Sequence, residues 1–344
     1  MKAWLYSRTT GGLETNLHLS AKARVPPVPR NAEVLVRVIS AAINPADYKV
    51  PELGLPARLV IGMPSSPGMD FCGRVVATGP AARQFTPGTL VFGSVARPVR
   101  FGSLAEYMVM DAGAGQVVPL PDGVAVDEAA GVGIAGVTAM QSLAGYVTAG
   151  SRVLVNGGSG GCGVFAIQIA KQMGCIVTAT CSTRNRELCL RLGADEILDY
   201  TAEKDLVGTL ASRGLIFDHI VDHIGTPGDM YYRCHEFLKE GGVFVQVGAS
   251  SMTTQVGRMG WPALLGGGRR KYVILLFHND EQQLRQLGEW MAEGALQVPL
   301  DSVHEFEDAV QAFKKLRSGR ARGKIIVHVT KAEEQNLEPF GIGL

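Results

Sequence analysis

Several patterns that would assign this protein to a narrow class are missing from its sequence. The six cysteines never form a Cys-x-x-Cys pair, and their apolar or glycine-rich surroundings predict buried, reduced thiols in a reducing compartment. The segment from Met1 to Gly12 lacks an apolar signal core, and no uninterrupted apolar run approaches about 18 residues. The net charge is only +1 and the basic residues are dispersed, so no nucleic-acid partner is expected. We expect a soluble, cytoplasmic protein without a transmembrane segment.

The length and the alternation of apolar runs indicate more than one domain. At 344 residues, 46% of them hydrophobic, the chain exceeds the roughly 150 residues of a typical domain. Residues 1–123 are strand-rich, whereas residues 124–277 alternate helices with strands, which favours an α/β fold with a doubly wound parallel sheet. Within them, 229–241 is predicted as one helix. Residues 278–344 are predicted to contain a helix-loop-helix, one strand and a frayed tail.

Between a predicted strand ending at Val155 and a predicted helix beginning near Val164 lies the segment NGGSGGCG. Its glycines at 158, 160 and 163 fit the Gly-x-Gly-x-x-Gly spacing, which lets the N-terminus of a helix approach a pyrophosphate. A second predicted strand at 175–182 completes a β-α-β unit of about 30 residues. The alternative is an ordinary glycine-rich turn, but the flanking elements favour a dinucleotide-binding turn.

The end of that second strand lacks the acidic residue that normally binds the ribose 2′-hydroxyl of NAD, about 20 positions past the glycines. Ser182, Thr183 and Arg184 stand there instead, followed by Asn185 and Arg186. Hydroxyl and guanidinium groups suit a 2′-phosphate, because arginine presents a planar set of donors. The sequence therefore favours NADPH over NADH. The alternative is that both arginines are solvated residues at the start of a helix.

Seven short segments, in this order and spacing, carry a resemblance to a known family. They are NPADYK (44–49), GMDFCGRVVATG (68–79), GSLAEY (102–107), GVTAMQSL (136–143), VNGGSGGCG (155–163), GADEILDY (193–200) and GKIIV (323–327). The chain resembles the medium-chain dehydrogenase/reductase superfamily, and within it the zinc-independent quinone oxidoreductases and alkenal (enoyl) reductases. The resemblance implies a GroES-like β-barrel domain built from both chain ends and an inserted Rossmann domain. It also implies a homodimer, paired through an edge strand such as YVILLF.

Zinc alcohol dehydrogenases, which the chain also resembles, carry a Gly-His-Glu before a Gly-Val strand and a four-cysteine lobe after it. Here Met69 and Asp70 stand at the His-Glu positions, and no cysteine lies between positions 72 and 162. No tetrahedral zinc site is therefore predicted. His219 and His223 have i, i+4 spacing, but they fall on a predicted strand and loop, so we predict structural roles for both.

A relative without zinc suits a quinone or an α,β-unsaturated carbonyl, because the charge left by hydride addition is delocalised and a few hydrogen-bond donors suffice. The resemblance implies that Asn44 lies near the nicotinamide and Lys49 beside the cofactor and the carbonyl. Tyr48 either donates a proton or only packs. The alternative for this segment is a turn capped by Asn44 and rigidified by Pro45, with Asp47 and Lys49 as surface charges.

The glycine turn and the resemblance together imply a set of residues that bind NADPH. They are Thr138, Gly158, Ser159, Gly160, Gly161, Cys162, Gly163, Ser182, Thr183, Arg184, Tyr200, Gly248, Phe277 and Lys324. Among them, Ser182 and Tyr200 match residues near the 2′-phosphate, and Thr138 matches one near the nicotinamide mononucleotide half. Cys162 stands at a helix N-terminus, which lowers a thiol pKa, but a bound pyrophosphate would cover it, so no catalytic role is predicted.

Three functions follow from these patterns. The first is an NADPH-dependent reductase of a quinone or an α,β-unsaturated carbonyl. The second is a trans-acting enoyl reductase of polyketide or secondary metabolism, whose basic loop from Gly257 to Lys271 would meet an acidic carrier. The alternative, which is the commoner explanation, is that this is a solvated basic loop. The third is a redox-inactive NADP-binding scaffold or sensor, against which the intact glycine turn and Asn44 argue.

Overall fold

The structure, a computed structural model, describes residues 1–247, 258 and 267–330. The chain divides into two compact units, one formed by Met1–Val137 with His278–Leu344 and the other by Thr138–Phe277. The first division falls inside the helix Val126–Leu143, whereas the sequence prediction placed a boundary before this helix, between residues 123 and 124.

Among the described residues, the strands are three to eleven residues long. In chain order they are β1 (Ala3–Leu5), β2 (His18–Ser20), β3 (Glu33–Ile43), β4 (Asp70–Thr78), β5 (Leu90–Ser94), β6 (Tyr107–Asp111), β7 (Val117–Pro119), β8 (Arg152–Asn156), β9 (Ile176–Cys181), β10 (Glu196–Asp199), β11 (Phe217–Asp222), β12 (Leu238–Gln246), β13 (Lys271–Ile274), β14 (Leu300–Glu305) and β15 (Lys324–His328).

The helices are mostly short. In chain order they are α1 (Pro45–Lys49), α2 (Leu55–Ile61), α3 (Val126–Leu143), α4 (Gly163–Gln172), α5 (Arg186–Arg191), α6 (Leu206–Ala211), α7 (Met230–Arg233), α8 (Glu281–Ala292) and α9 (Ala309–Arg317). Within the described ranges, none has the length and apolar character needed to span a membrane.

The first unit is built on a seven-stranded, mostly antiparallel sheet. Its order is β14-β15-β3-β4-β5-β7, with β6 pairing along the first part of β3. The end of β3 lies between two partners, because Ile43 pairs with Ile325 of β15 and Ala42 pairs with Asp70 of β4. This register places the end of β3 next to the start of β4 and the start of β15, which are far apart in the sequence.

The second unit contains a six-stranded parallel sheet in the order β10-β9-β8-β11-β12-β13. The order reverses between β8 and β11, which is the arrangement of a doubly wound sheet, whose ligands bind where the strand order changes. The parallel sheet expected from the alternating strands and helices is confirmed. One hydrophobic cluster beside it includes Phe217, Phe237 and Phe244, all fully buried.

Two secondary-structure predictions were wrong in detail. The predicted loop between α8 and α9 contains a strand, β14, which pairs in parallel with β15. Its sequence, LDSVHE, is partly exposed and has few apolar residues, so the pattern carries little strand signal. The predicted helix over 229–241 is limited to α7 and the 3-10 turn Cys234–Glu236, because β12 already begins at Leu238.

Candidate active site

In the first unit, the sheet register brings Asn44, Asp70 and Lys324 together. Asn44 follows β3, Asp70 begins β4 and Lys324 begins β15. Asn44 Nδ2 donates to Asp70 Oδ2 at 2.8 Å, and Lys324 Nζ donates to Asn44 Oδ1 at 2.6 Å. Lys324 Nζ also lies 3.5 Å from Asp70 Oδ2. All three side chains are buried, so these contacts fix one orientation of the Asn44 amide.

Helix α3 anchors the carboxylate of this network. Asp70 Oδ1 accepts a hydrogen bond of 2.8 Å from the backbone N–H of Ile134, in the interior of the helix. The preceding residue is Gly133, and a Cβ atom there would lie 2.6 Å from Asp70 Oδ1. The glycine therefore allows the carboxylate to approach the helix backbone.

Asp47 lies beneath the same network, as the third residue of α1. Its Oδ2 accepts a hydrogen bond of 2.6 Å from the backbone N–H of Asn44, as in the reciprocal half of a capping box. Burial raises the pKa of Asp47 to about 8; the Asn44 N–H opposes this increase, as does Lys324, whereas Asp70 adds to it. Burial also raises the pKa of Asp70, against the effects of Lys324 and Asn44. The view of Asp47 as a surface charge is wrong, since the side chain is buried.

Tyr48 is half-buried beneath an arginine. The Arg317 guanidinium carbon lies 4.1 Å from the centre of the Tyr48 ring, within the range of a cation–π contact. Arg317 in turn forms ion pairs with Glu14 at 2.7 Å and Glu52 at 2.5 Å. Burial raises the pKa of Tyr48, and Arg317 partly opposes this increase. The phenol is therefore protonated at neutral pH.

In the second unit, the segment Asn156–Gly163 forms a tight turn between β8 and α4. A side chain at Gly163 would collide with the carbonyl of Gly157, and one at Gly158 would lie 2.9 Å from Ala179 Cβ. Thr180 fixes the start of the turn, because its hydroxyl accepts from the Gly157 N–H at 2.9 Å. The turn is thus a close backbone approach that only glycine permits, as a pyrophosphate site at the N-terminus of α4 requires.

Unpaired polar atoms lie along the carboxyl edge of this sheet. Within the described residues, Ser182 Oγ, Asn185 Oδ1 and Asp222 Oδ2 are buried and have no hydrogen-bond partner. Asn185 Nδ2 donates to Ser159 Oγ at 2.8 Å, which links this edge to the glycine turn. Because buried polar groups are nearly always paired, these atoms have capacity to bond the polar groups of a ligand. The turn and its edge fit a dinucleotide.

Comparisons with known proteins found family matches and similar proteins for this chain. The family described as alcohol dehydrogenase GroES-like domain matches residues 30–122, and the one described as zinc-binding dehydrogenase matches residues 192–327. The chain is 44% identical to the trans-enoyl reductase pgmF of Aspergillus terreus, over 97% of this chain and 98% of that protein. It is 31% identical to a chloroplastic quinone-oxidoreductase homolog of Spinacia oleracea, over 95% of this chain and 98% of that protein.

The solved quinone oxidoreductase of Coxiella burnetii superposes with a TM-score of 0.83 at 28% identity, covering 96% of this chain and 99% of that one. The chain belongs to the medium-chain dehydrogenase/reductase superfamily. The family and the fold implied by the seven segments, a GroES-like domain with a Rossmann sheet, are confirmed. As a member of this superfamily the protein is an oxidoreductase, and the family implies a nicotinamide cofactor.

The predicted site residues lie at several places in the two units. Lys324, predicted as a cofactor residue, is the lysine bonded to Asn44, whereas Lys49 lies exposed on α1. Thr138 is buried on α3, and Phe277 follows β13. Gly248 lies outside the described residues. The assignment of these residues to catalysis and to cofactor binding stays a prediction.

The histidine at 219 has a packing role. His219 is fully buried, its Nε2 lies 2.8 Å from the carbonyl oxygen of Ser142, and its ring stacks on Tyr146 with centroids 5.2 Å apart. Burial lowers the pKa of His219 to about 4. Across the described ranges, no cluster of three or more His, Cys, Asp or Glu side chains is arranged to hold a metal ion.

Sequence reasoning missed the residues that hold the candidate residues in place. The sequence motifs indicate Asp70 only as the residue at a zinc-ligand position, and they give no indication of Arg317. Asp199 was also missed, although its carboxylate lies 2.5 Å from the hydroxyl of Thr183. An available signal was the segment GADEILDY, which places an acid at the end of the strand next to β9.

Proposed function

We propose that this medium-chain reductase uses NADPH to reduce an α,β-unsaturated carbonyl compound or a quinone. The observation that carries the proposal is the buried network of Asn44, Asp70 and Lys324, which holds an ammonium group against an oriented amide. The glycine turn of the second unit supports it. So does the 44% identity with a protein named as a trans-enoyl reductase.

A bound nicotinamide dinucleotide supplies the hydride in this chemistry. Hydride addition to an enone leaves negative charge on the carbonyl oxygen, and the ammonium group of Lys324 offers electrostatic stabilisation in a buried setting. Tyr48 keeps its proton at neutral pH, because burial raises its pKa, so it is one source of the proton that the product needs. Lys49, at the exposed end of α1, is the other candidate donor.

The preference for the phosphorylated dinucleotide rests on the end of β9. Arg184 is exposed there and Ser182 has an unpaired buried hydroxyl, so the edge offers donors to a 2′-phosphate. Equal affinities for NADH and NADPH would contradict this part of the proposal.

The test follows the absorbance of NADPH with a panel of quinones, alkenals and enoyl thioesters. We expect turnover with at least one conjugated acceptor and little with a saturated ketone. Asn44→Ala should lower kcat/KM by about tenfold or more, since it removes the partner of both Asp70 and Lys324. Asn16→Ala, at a partly exposed asparagine of the same unit that bonds local backbone carbonyls and the neighbouring Thr15, is the matched control and should turn over normally.

Two other functions make different predictions in the same assay. A trans-acting enoyl reductase, favoured by the similarity to pgmF, would reduce a carrier-bound enoyl thioester much faster than the same acyl group on a small thiol. A redox-inactive scaffold or sensor would bind NADPH tightly and reduce nothing in the panel. Normal turnover by Asn44→Ala would remove that residue from the active site.

A further inference from the structure

An acidic residue does lie beside the end of β9, where the adenosine ribose is expected, but it belongs to the neighbouring strand. Asp199 ends β10, which runs parallel to β9 with Asp199 paired to Cys181, the last residue of β9. The backbone N–H of Tyr200 donates to the carbonyl of Cys181 at 3.1 Å, so the two strand ends are held side by side. The acid missing from the end of β9 in the sequence is therefore supplied by β10 in space.

The Asp199 carboxylate accepts hydrogen bonds from two threonine hydroxyls beside it. Thr183 Oγ1 donates to Asp199 Oδ2 at 2.5 Å, and Thr201 Oγ1 donates to Asp199 Oδ1 at 2.6 Å. The backbone N–H of Thr201 adds a third bond to Oδ1, at 2.9 Å. Each hydroxyl has one proton, so neither threonine has a proton left to donate to a phosphate.

The same bonds keep Asp199 charged. Its slight burial raises the pKa, but the hydrogen bonds from Thr183 and Thr201 outweigh this effect and lower the pKa to about 2. At neutral pH a full negative charge therefore lies in contact with Thr183, one of the residues expected to meet a 2′-phosphate. The residue that follows Thr183 in the chain is the exposed cation Arg184.

We propose that Asp199 is a specificity-determining residue that weakens the binding of NADPH relative to NADH. The inference rests on the proposed use of a nicotinamide dinucleotide by this chain. A 2′-phosphate needs donors and is repelled by a carboxylate, whereas a ribose 2′-hydroxyl donates to one. Arg184 and Asp199 thus act in opposite directions, and the preference for NADPH is smaller than the arginine alone would produce.

Asp199→Asn tests the proposal, because it removes the charge and keeps the shape. The amide nitrogen donates toward Thr183 Oγ1, whose own proton is then released for a phosphate. We expect the Kd of NADPH to fall by about three- to tenfold at low salt, less at high salt, with no gain for NADH. The Kd values are measured by fluorescence titration without substrate, so the readout does not depend on turnover.

A double-mutant cycle with Thr183→Val separates the hydroxyl from the charge. In the unaltered protein, Thr183→Val should change the Kd of NADPH by less than about twofold, since that hydroxyl donates to Asp199. In the Asp199→Asn background the same substitution should weaken NADPH several-fold. Glu240→Gln, an exposed acid in the first half of β12, is the matched control for the loss of one negative charge and should leave both affinities unchanged.

The outcomes distinguish this inference from the function on which it rests. If the unaltered protein binds neither dinucleotide, the proposed function and the inference both fail. If it binds NADPH but Asp199→Asn leaves the ratio of the two Kd values within twofold, only the role of Asp199 is overturned. The role is also overturned if Glu240→Gln produces the same gain.

Discussion

Asp70 bonds two different parts of the first unit, because one oxygen faces the Asn44 amide and the other faces a helix backbone. Oδ2 accepts from Asn44 and lies near Lys324, while Oδ1 accepts from the N–H of Ile134. Its side chain is fully buried, so the loss of either set of bonds leaves polar groups unpaired away from water.

Asp70→Asn should therefore destabilise the protein and impair turnover. The amide nitrogen would face other donors, and Lys324 would lose the carboxylate near its charge, at a cost of about 3 kcal/mol in unfolding free energy. We expect a fall in kcat/KM of about tenfold or more in the NADPH assay. Asp127→Asn, at a partly exposed pair with His328 in the same unit, should cost about 1 kcal/mol or less. Equal losses in the two variants would contradict a special role for Asp70.

Asp47 makes the stability of the first unit depend on pH. Its pKa in the folded protein is about 8, above the usual value near 4, so the folded state binds more protons than the unfolded chain between these values. Stability should fall as the pH rises through this window and level off above it. The Tm of the natural protein relative to Asp47→Asn should decline from pH 5 to pH 8, equivalent to about 1–3 kcal/mol.

The exposed Asp122 provides the control for that measurement, since Asp122→Asn removes the same charge from the surface. Its Tm difference from the natural protein should stay constant over the same pH range. A constant difference for Asp47→Asn as well would show that Asp47 is ionised throughout.

The sequence motifs identified candidate residues, but they did not indicate which of these residues bond to one another. Asn44 was recognised from the motif NPADYK, and Lys324 from GKIIV, but nothing local indicated that they touch. Their bond joins residues separated by 280 positions and depends on the pairing of β15 with β3. The hydrogen bond from Thr183 to Asp199 was missed for the same reason, since it joins the ends of two strands.

The glycines of helix α3 allow neighbouring groups to lie close to its backbone. Gly131, Gly133 and Gly136 each face a close neighbour, but the neighbours differ in how far they can move. Gly131 and Gly136 face methyl groups of Val298, Val132 and Leu287, whereas Gly133 faces the Asp70 carboxylate and the carbonyl oxygen of Gly93. Side-chain ends can rotate, while a bonded carboxylate and a backbone carbonyl cannot.

Gly133→Ala should lower stability even though alanine favours a helix over glycine by about 1 kcal/mol. The new Cβ would lie 2.6 Å from Asp70 Oδ1 and 3.0 Å from Gly93 O, so Asp70 or α3 must move. We expect a loss of about 2 kcal/mol in urea unfolding, accompanied by lower kcat/KM. Gly136→Ala should lose less and keep its activity. An unchanged kcat/KM for a folded Gly133→Ala would separate α3 from the active site.

The helices and strands with strong periodicity were predictable, whereas β14 was not. The strand–turn–helix around the glycine turn combines an apolar run with a fixed glycine spacing. β14 has the sequence LDSVHE and lies at the edge of its sheet, where it is defined by pairing with β15 alone. A strand with so little apolar content becomes visible only through its partner.

The first unit takes strands from both ends of the chain, so its sheet is complete only when the C-terminal part is present. β15 lies between β14 and β3, and the chain continues with bonds from Val329 N–H to Ile39 O and from Thr330 to Val38 O. Among the residues that the structure describes, the six strands of the second unit's sheet all lie within Thr138–Phe277. The two units should therefore differ in their sensitivity to truncation.

A chain that ends at Arg322 lacks β15 and Lys324, so β3 loses the partner of its last residues and β14 loses its neighbour. We expect hydrogen exchange to show lost protection in β3, over Glu33–Ile43, and retained protection in β8, over Arg152–Asn156. A chain that ends at Thr330 keeps β15 and its bonds to β3, and should protect both strands. Because exchange is read strand by strand, equal loss in β3 and β8 would mean that the two units unfold as one. Retained protection of β3 in the shorter chain would mean that its pairing with β15 contributes little to the first unit.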